Sequence, residues 1–154
     1  MAELKPRANL NPWRDRAGRD ILFAREPDLT SAEFIAVLER SGLDGRRPVA
    51  DHQRIETMLR NADLIVTARA DGRLIGVARS VTDFTYCCYL SDLAVDRDWQ
   101  GRGIGRELML RTRAEAGGRQ VRCILLSAPA AVEFYTKVGL KRHEQCFDFT
   151  ELED

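Results

Sequence analysis

The spacing of apolar residues in the first third of the chain predicts one strand followed by two helices. Residues 21–24 form a short apolar run typical of a strand. Apolar residues then recur at helical spacing from a capping position at Thr30 or Ser31 to about Arg40, and again over roughly 52–61. The segment between the two helices is rich in glycine and ends in proline, so we expect a loop there.

The middle of the chain changes to the pattern of closely spaced strands. Strands are predicted over 64–69, 74–81 and about 85–95. The Asp71-Gly72 pair between the first two strands is a tight-turn signal. Three strands at this spacing form an antiparallel meander.

The last third alternates between helical and strand patterns. Helical spacing returns after residue 103 and continues to about Ala116. A near-continuous apolar run over 121–127 predicts a strand buried on both faces. Pro129 can start a further helix over 130–138, and the tail predicts one strand or a short hairpin around 146–149.

This order of elements predicts an α/β fold of mixed (α+β) type. The strand, glycine-rich loop, helix and strand that follow the meander require a locally parallel pair, since a helical crossover joins parallel strands. We expect a mixed, mostly antiparallel central sheet flanked by about four helices. The 154 residues provide for one core, so we assign residues 21–154 to a single domain and the aperiodic residues 1–20 to an N-terminal arm.

The bulk composition excludes several classes of partner. Basic and acidic residues number 24 each, which argues against a nucleic-acid partner, because such a surface needs a basic excess. No apolar run approaches the roughly 20 residues that span a membrane, and no export signal is visible, so we expect a cytoplasmic protein without a membrane partner. The cysteines form no C-x-x-C pair, so we expect ordinary buried thiols and no metal.

The strongest chemical signal lies between a predicted strand and a predicted helix, where Gly101, Gly103 and Gly105 occupy alternate positions. Bare backbone N–H groups at a helix start bind anions, and phosphate above all. The segment lacks the Lys and Ser/Thr of a P-loop. Its G-x-G-x-G spacing and its place after an antiparallel meander do not fit the dinucleotide-binding fingerprint. These residues predict a phosphorylated cofactor of another kind.

Two blocks of sequence resemble one known family. Residues 100–105, read as Q-x-x-G-x-G, resemble the acetyl-CoA-binding signature of the GCN5-related N-acetyltransferase (GNAT) superfamily. Residues 131–140 are similar to that family's A-x-x-F-Y-x-x-x-G-F segment, with Leu140 in place of the usual Phe. The resemblance covers roughly residues 20–150 and implies a GNAT-like acyl-CoA N-acyltransferase fold, in which the parallel pair splays apart around the glycine loop.

The resemblance also implies where acetyl-CoA, the co-substrate, would bind. Its pantetheine would lie in a V-shaped opening between the strands that carry Val95 and Val121 and pair with the backbone of the first. Its pyrophosphate would lie on the amides of the glycine loop, with arginines adding charge. The cofactor-binding residues predicted in this way are Leu93, Ala94, Val95, Gln100, Gly101, Arg102, Gly103, Ile104, Gly105 and Arg106.

The reaction needs a proton donor and a proton acceptor. Tyr135 matches the family position that protonates the departing thiolate, and a phenol is protonated at pH 7. The amine must lose a proton, because a primary amine is mostly protonated at neutral pH. Some family members carry a Glu on the long strand where this chain has Leu90 beside Tyr89. Asp92 is the nearest acid and our candidate base, ahead of Ser91, and a water chain with no single base stays open.

The family builds its acceptor pocket mainly from the loop between the first two helices and from the C-terminal strands. Here that loop contains Arg46 and Arg47, which are candidates to hold an anionic group of the acceptor, together with Ser91. The alternative is that the arginines pair with local acids such as Asp44 or Asp51, or face solvent. Trp99 is predicted to pack beneath the glycine loop rather than to stack on adenine.

Together these residues predict an N-acetyltransferase that moves acetyl from acetyl-CoA to a primary amine by direct attack in a ternary complex. No covalent cysteine intermediate is needed. The acceptor is expected to be a small molecule, and dimers in the family leave a homodimer open. Two alternatives remain: acetylation of a protein or peptide, and a non-catalytic module that senses acyl-CoA.

Overall fold

The computed structural model describes residues 13–153 as one sheet with helices on both faces. The strands, in both chain and sheet order, are β1 Trp13–Arg14, β2 Asp20–Arg25, β3 Leu64–Ala70, β4 Arg73–Thr82, β5 Cys87–Val95 and β6 Arg122–Ile124. The α-helices of this region are α1 Ser31–Ser41, α2 His52–Arg60, α3 Ile104–Glu115 and α4 Val132–Lys137. No helix among these residues combines the length and the apolar character that crossing a membrane requires.

The sheet is antiparallel from β1 to β5, and β6 pairs parallel to β5. Asp71 and Gly72 join β3 to β4 with φ of 48° and 79°, which is the left-handed hairpin turn that the sequence predicts. The crossover from β5 to β6 contains α3, as a parallel connection requires. The predicted mixed, mostly antiparallel sheet with one parallel pair is therefore confirmed.

Two hydrophobic cores lie on opposite faces of the sheet. On one face α1 and α2 bury Phe34, Leu38 and Ile55 completely. On the other face α3 buries Ile104 and Leu108. Both cores include residues of the central strands. The packing of Ile104 and Leu108 against these strands fixes the position of the first turn of α3.

A bulge interrupts the pairing of β4 with β5. The register passes from Arg79 opposite Asp92 to Ser80 opposite Leu90, so Ser91 has no partner on β4. A one-residue bulge reverses which face the following side chains occupy. Cys88 and Leu90 accordingly contribute to the α3 core, whereas Ala94, at the same alternation, contributes to the core of α1 and α2.

The C-terminal part of the chain differs from the prediction of a buried strand over 121–127. Only Val121 is buried, and the strand that follows is three residues long and exposed. The tail around 146–149 forms no strand, and Phe147 is 85% exposed. The apolar composition indicated burial, but β6 is the edge of the sheet in the described region and no further strand covers it.

Three of the four cysteines also differ from the expectation of buried thiols. Cys88 is buried, whereas Cys87, Cys123 and Cys146 are exposed. Cys123 lies on the edge strand β6 and Cys146 in the C-terminal tail, where the expected covering strands are missing from residues 13–153. Cys87 is the first residue of β5.

The predicted arm over residues 1–20 is ordered where the structure describes it. Trp13 pairs with Ile21 and Arg14 pairs with Asp20, so β1 and the turn after it form a small hairpin with β2. Residues 1–12 of the predicted arm lie outside the described residues. The sequence failed to indicate this hairpin because a two-residue strand has no measurable periodicity.

Candidate active site

The parallel strands β5 and β6 separate soon after they begin to pair. Cys87–Tyr89 lies opposite Arg122–Ile124, and no later residue of β5 pairs with β6. From Leu90 to Val95, β5 therefore has a strand neighbour only on its β4 side within the described chain. The result is a gap along the far edge of β5, which ends at the glycine loop.

The backbone of β5 directs polar groups into this gap. The N–H of Asp96 donates to Ile75 of β4 at 2.8 Å. Because alternate residues of an antiparallel strand face the same neighbour, the N–H and C=O groups of Leu93 and Val95 are directed away from β4. The same alternation directs the backbone of Ala94 toward β4, so two of the three predicted pantetheine-binding residues offer backbone groups to the gap.

Gln100 is predicted to bind the cofactor, and in the structure its side chain contacts the end of β5. Its Nε2 donates to the carbonyl of Val95 at 2.9 Å. This hydrogen bond joins the end of β5 to the start of the glycine loop.

The glycine loop has the backbone conformation of an anion cradle. Gly101 and Gly103 adopt φ of 75° and 92°, which favours glycine. Gly103 is the N-cap of α3, so the N–H groups at the start of that helix have no acceptor within the helix. No atom lies within 4 Å of the position that a Cβ would take on Gly101, so glycine is favoured there by its backbone conformation and not by a lack of space. The space beside Gly101 is open to a ligand.

Gly105 is required for a different reason. It lies inside α3, and a Cβ there would stand 3.0 Å from Cζ of Phe134 and 3.7 Å from Cγ2 of Val95. The missing side chain lets the Phe134 ring dock against the first turn of α3. Because Phe134 belongs to α4, this contact fixes α4 beside the glycine loop.

Tyr135 follows on the same helix and is half-buried. Its ring meets that of Phe134 edge to face, with the centroids 5.1 Å apart. Burial raises the pKa of Tyr135 above its ordinary 10.0, and the positive charge of Arg47 opposes that rise. The phenol is therefore protonated at neutral pH and lies within electrostatic reach of the loop between α1 and α2.

Asp92 is held between two arginines. Arg47 Nε and Arg79 Nε each donate to a different carboxylate oxygen of Asp92, whose side chain is 0% exposed. Arg47 also donates to the carbonyl of Ser91 at 2.8 Å, and Arg79 donates to its hydroxyl at 2.9 Å. The three charged side chains thus clamp the β5 bulge.

This arrangement revises the prediction that Asp92 accepts the amine proton. Both carboxylate oxygens already accept charged hydrogen bonds, and neither faces solvent. It also revises the place of Arg47, which reaches Asp92 instead of Asp44 or Asp51. Arg46 is exposed and offers its carbonyl to Arg47 Nη1 at 2.8 Å.

The two predicted phosphate-binding arginines differ in their surroundings. Arg102 lies 4.9 Å over the Trp99 ring and donates to the carbonyl of Asp98 at 2.9 Å. Arg106 is exposed, and among residues 13–153 no carboxylate lies within salt-bridge distance of it. Trp99 packs against the α3 core, as predicted. Arg106 is the better placed of the two to meet a phosphate.

Sequence reasoning did not include Arg79, Phe134 or Asp15 among the site residues. Arg79 offered a signal, since a charged residue within the apolar run of β4 needs a buried partner. Asp15 offered none, because its segment has no periodicity. Among the described residues no group of three or more His, Cys, Asp or Glu side chains is arranged to hold a metal.

A mixed sheet that opens between parallel strands beside a glycine cradle has the architecture of an acetyltransferase. The model of the acetyltransferase (GNAT) family matches residues 27–140. The chain therefore belongs to the GNAT acetyltransferase family.

Relatives with curated descriptions include two acetyltransferases. A histone acetyltransferase, TAP1 of Glycine max, is 26% identical over 133 residues, which cover 79% of this chain and 56% of the relative. The uncharacterized N-acetyltransferase ycf52 of Pyropia yezoensis is 26% identical over 99 residues, which cover 61% and 55%. The chain spans little more than half the length of these relatives.

Solved structures share the fold. A candidate acetyltransferase from Deinococcus radiodurans superimposes with a TM-score of 0.64 at 28% identity, covering 82% of this chain and 86% of that protein. An aminoglycoside acetyltransferase from a soil metagenome superimposes with a TM-score of 0.62 at 19% identity, covering 87% and 97%. The second likeness is one of fold alone.

Proposed function

We propose that this protein transfers an acetyl group from acetyl-CoA to the primary amine of a small molecule. The observation that carries the proposal is the gap between β5 and β6, which runs into the open amide cradle at the start of α3. Tyr135 stands beside this cradle through the contact of Phe134 with Gly105. Family membership supports acetyl transfer, and the cradle supports a phosphorylated acyl carrier.

The residues present fit coenzyme A. The amides after Gly101 and Gly103 suit the pyrophosphate, and Arg106 adds positive charge. The N–H and C=O of Leu93 and the N–H of Val95 suit the amide groups of pantetheine, since extended chains bind along an open strand edge. The carbonyl of Val95 already accepts from Gln100. Acetyl-CoA supplies an acetyl carbon made electrophilic by its thioester bond.

Tyr135 protonates the leaving group. As the amine nitrogen bonds to the acetyl carbon, the carbon–sulfur bond breaks and its electron pair stays on sulfur. Tyr135 donates its hydroxyl proton to that sulfur, which yields a thiol and an amide. The phenolate regains a proton from solvent. The raised pKa of Tyr135 keeps its hydroxyl protonated at neutral pH, so that the proton is available to the sulfur.

The proton of the amine leaves through water. Asp92 has no free oxygen to accept it, because both oxygens bind arginines. We assign Asp92 to the positioning of Arg47 and of the β5 bulge. Arg47 in turn ties the loop between α1 and α2 to the carbonyl of Ser91 on β5. A loop held against β5 in this way favours a small acceptor over an extended peptide.

An acceptor screen with acetyl-CoA tests the proposal. Thiol release would be followed with amino acids, polyamines, aminoglycosides and peptides, and each acetylated product would be identified by mass spectrometry. We expect turnover with small amines. Turnover with peptides alone would indicate a protein acetyltransferase, and tight CoA binding without any turnover would indicate a sensor.

A further inference from the structure

We propose that Asp15 is a positioning residue that holds the glycine loop in its phosphate-binding conformation. It acts through the turn between β1 and β2, residues 15–19, hereafter the N-terminal turn. This turn lies before residue 27, where the match to the family model begins. The inference rests on the proposed binding of coenzyme A.

Asp15 organises the N-terminal turn itself. Its Oδ1 accepts hydrogen bonds from the N–H groups of Ala17 at 2.9 Å and Arg19 at 2.8 Å. Its backbone N–H donates to the carbonyl of Arg19 at 2.9 Å, which closes the turn. The Asp15 side chain is 0% exposed, so a buried carboxylate is the centre of this small structure.

The second carboxylate oxygen of Asp15 faces the glycine loop. Asp15 Oδ2 lies 3.5 Å from Nη1 of Arg102. Burial alone would raise the pKa of Asp15, but the two amides of the turn and the charge of Arg102 lower it below its ordinary value. The carboxylate is thus an anion beside a cation near the start of α3. A cation at a helix N-terminus is unfavourable by itself, so Asp15 offsets the charge of Arg102 there.

The N-terminal turn also contacts the loop through its backbone. The N–H of Arg16 donates to the carbonyl of Arg102 at 3.2 Å. The ring of Trp13, the first residue of β1, lies 3.5 Å from the position that a Cβ would take on Gly103. These contacts turn the carbonyl of Arg102 toward the N-terminal turn, and the left-handed residues on each side leave the following amides to a ligand.

Loss of the Asp15 charge would release Arg102 and loosen the N-terminal turn. The loop amides would then be less well ordered for the pyrophosphate. Tyr135, the proposed proton donor, would keep its place, because α4 docks on α3 through Phe134 and Gly105 and not through the N-terminal turn. The predicted effect falls on the binding of phosphorylated ligands and spares the chemical step.

The test compares Asp15→Asn with the wild-type protein in the full chain. Affinity would be measured by calorimetry for CoA and by NMR for pantetheine, which lacks the phosphates. We expect the Kd for CoA to rise about tenfold, the effect of losing a hydrogen bond to a charged group. The Kd for pantetheine and kcat at saturating acetyl-CoA should not change.

Asp20→Asn is the matched control. Asp20 belongs to the same hairpin and pairs with Arg14, with both side chains more than half exposed. The substitution removes the same charge without touching the loop, so the Kd for CoA should stay at the wild-type value. An equal rise in both variants would overturn the inference, since it would reflect net charge alone.

The remaining outcomes separate this inference from the proposed function. Wild-type protein that fails to bind CoA overturns both. Wild-type protein that binds CoA while Asp15→Asn binds it equally well overturns the inference alone. If Asp15→Asn weakens pantetheine as much as CoA, Asp15 supports the whole fold and not the phosphate loop, and the inference again fails.

Discussion

A Cβ atom on Gly105 would stand 3.0 Å from Cζ of Phe134, closer than side chains pack without rearrangement. Gly105 therefore leaves room for the Phe134 ring to pack against α3, whereas Gly101 and Gly103 allow the positive φ angles that the loop requires. The same contact couples the proposed phosphate site to the proposed acid, because Tyr135 follows Phe134 directly. The three alternating glycines thus have separate physical roles.

Gly105→Ala should move α4 away from the glycine loop. Overpacking at a fitted contact costs about 1–3 kcal/mol, and alanine in place of glycine within a helix offsets about 0.5–1 kcal/mol of that cost. We therefore expect the free energy of unfolding in urea to fall by about 1 kcal/mol. Activity should fall as well, because Tyr135 moves with α4. Adding Phe134→Leu to the Gly105→Ala variant should restore part of both losses by making room.

Gly45→Ala is the control for this substitution. Gly45 has no atom within 4 Å of its Cβ position and no positive φ, so alanine should be neutral there. If Gly105→Ala were equally neutral, the packing of Phe134 against α3 would not depend on glycine at position 105.

The effect of a substitution at Gly101 should depend on how readily the new residue adopts a positive φ, and not on the size of its side chain. Nothing lies within 4 Å of its Cβ position, and its φ is 75°. Asn visits the left-handed region far more readily than Val. We therefore expect Gly101→Asn to bind CoA more tightly than Gly101→Val, as measured by calorimetry. Equal affinities would show that the loop does not depend on this φ.

Tyr135→Phe should lower kcat by about 10²–10⁴, the contribution of a positioned acid, with little change in the Kd for CoA. A pKa raised above 10.0 keeps the phenol protonated to higher pH, so loss of activity through its deprotonation should occur only above pH 10. The pH–rate profile of kcat measures this limb. Tyr86, which is 71% exposed, provides the control Tyr86→Phe. Wild-type kcat in Tyr135→Phe would refute the assignment of the acid.

Asp92→Asn should act mainly on stability. Removing one partner of a buried ion pair leaves uncompensated charge and costs about 3–5 kcal/mol, and Asp92 has two such partners. We expect a large fall in the free energy of unfolding. Glu56→Gln, in an exposed pair with Arg60, should cost at most about 1 kcal/mol.

The pH–rate profile of Asp92→Asn distinguishes positioning from base catalysis. If Asp92 only positions other residues, the fall in rate on the acidic side of the pH–rate profile should persist in the folded fraction of Asp92→Asn. Loss of that fall together with wild-type stability would identify Asp92 as the base after all.

The sequence by itself determined the features that depend on neighbouring residues. Thr30 caps α1 through its own hydroxyl, Asp71 and Gly72 make a hairpin, and the glycines after β5 open a helix start, because each signal lies within a few residues of its effect. The element order and the proposed phosphate cradle follow from such local signals. The apolar run over 121–127 misled, since composition alone does not show what covers an edge strand.

Only the tertiary structure decided which distant groups meet. Arg47 and Arg79 reach Asp92 from a loop and from a neighbouring strand, and the bulge that brings them together depends on the register of β4 with β5. Phe134 reaches Gly105, and Asp15 reaches Arg102, across 29 and 87 positions of the chain. These contacts depend on strand register and helix packing, which arise from the whole sheet and leave no periodic trace near the residues themselves.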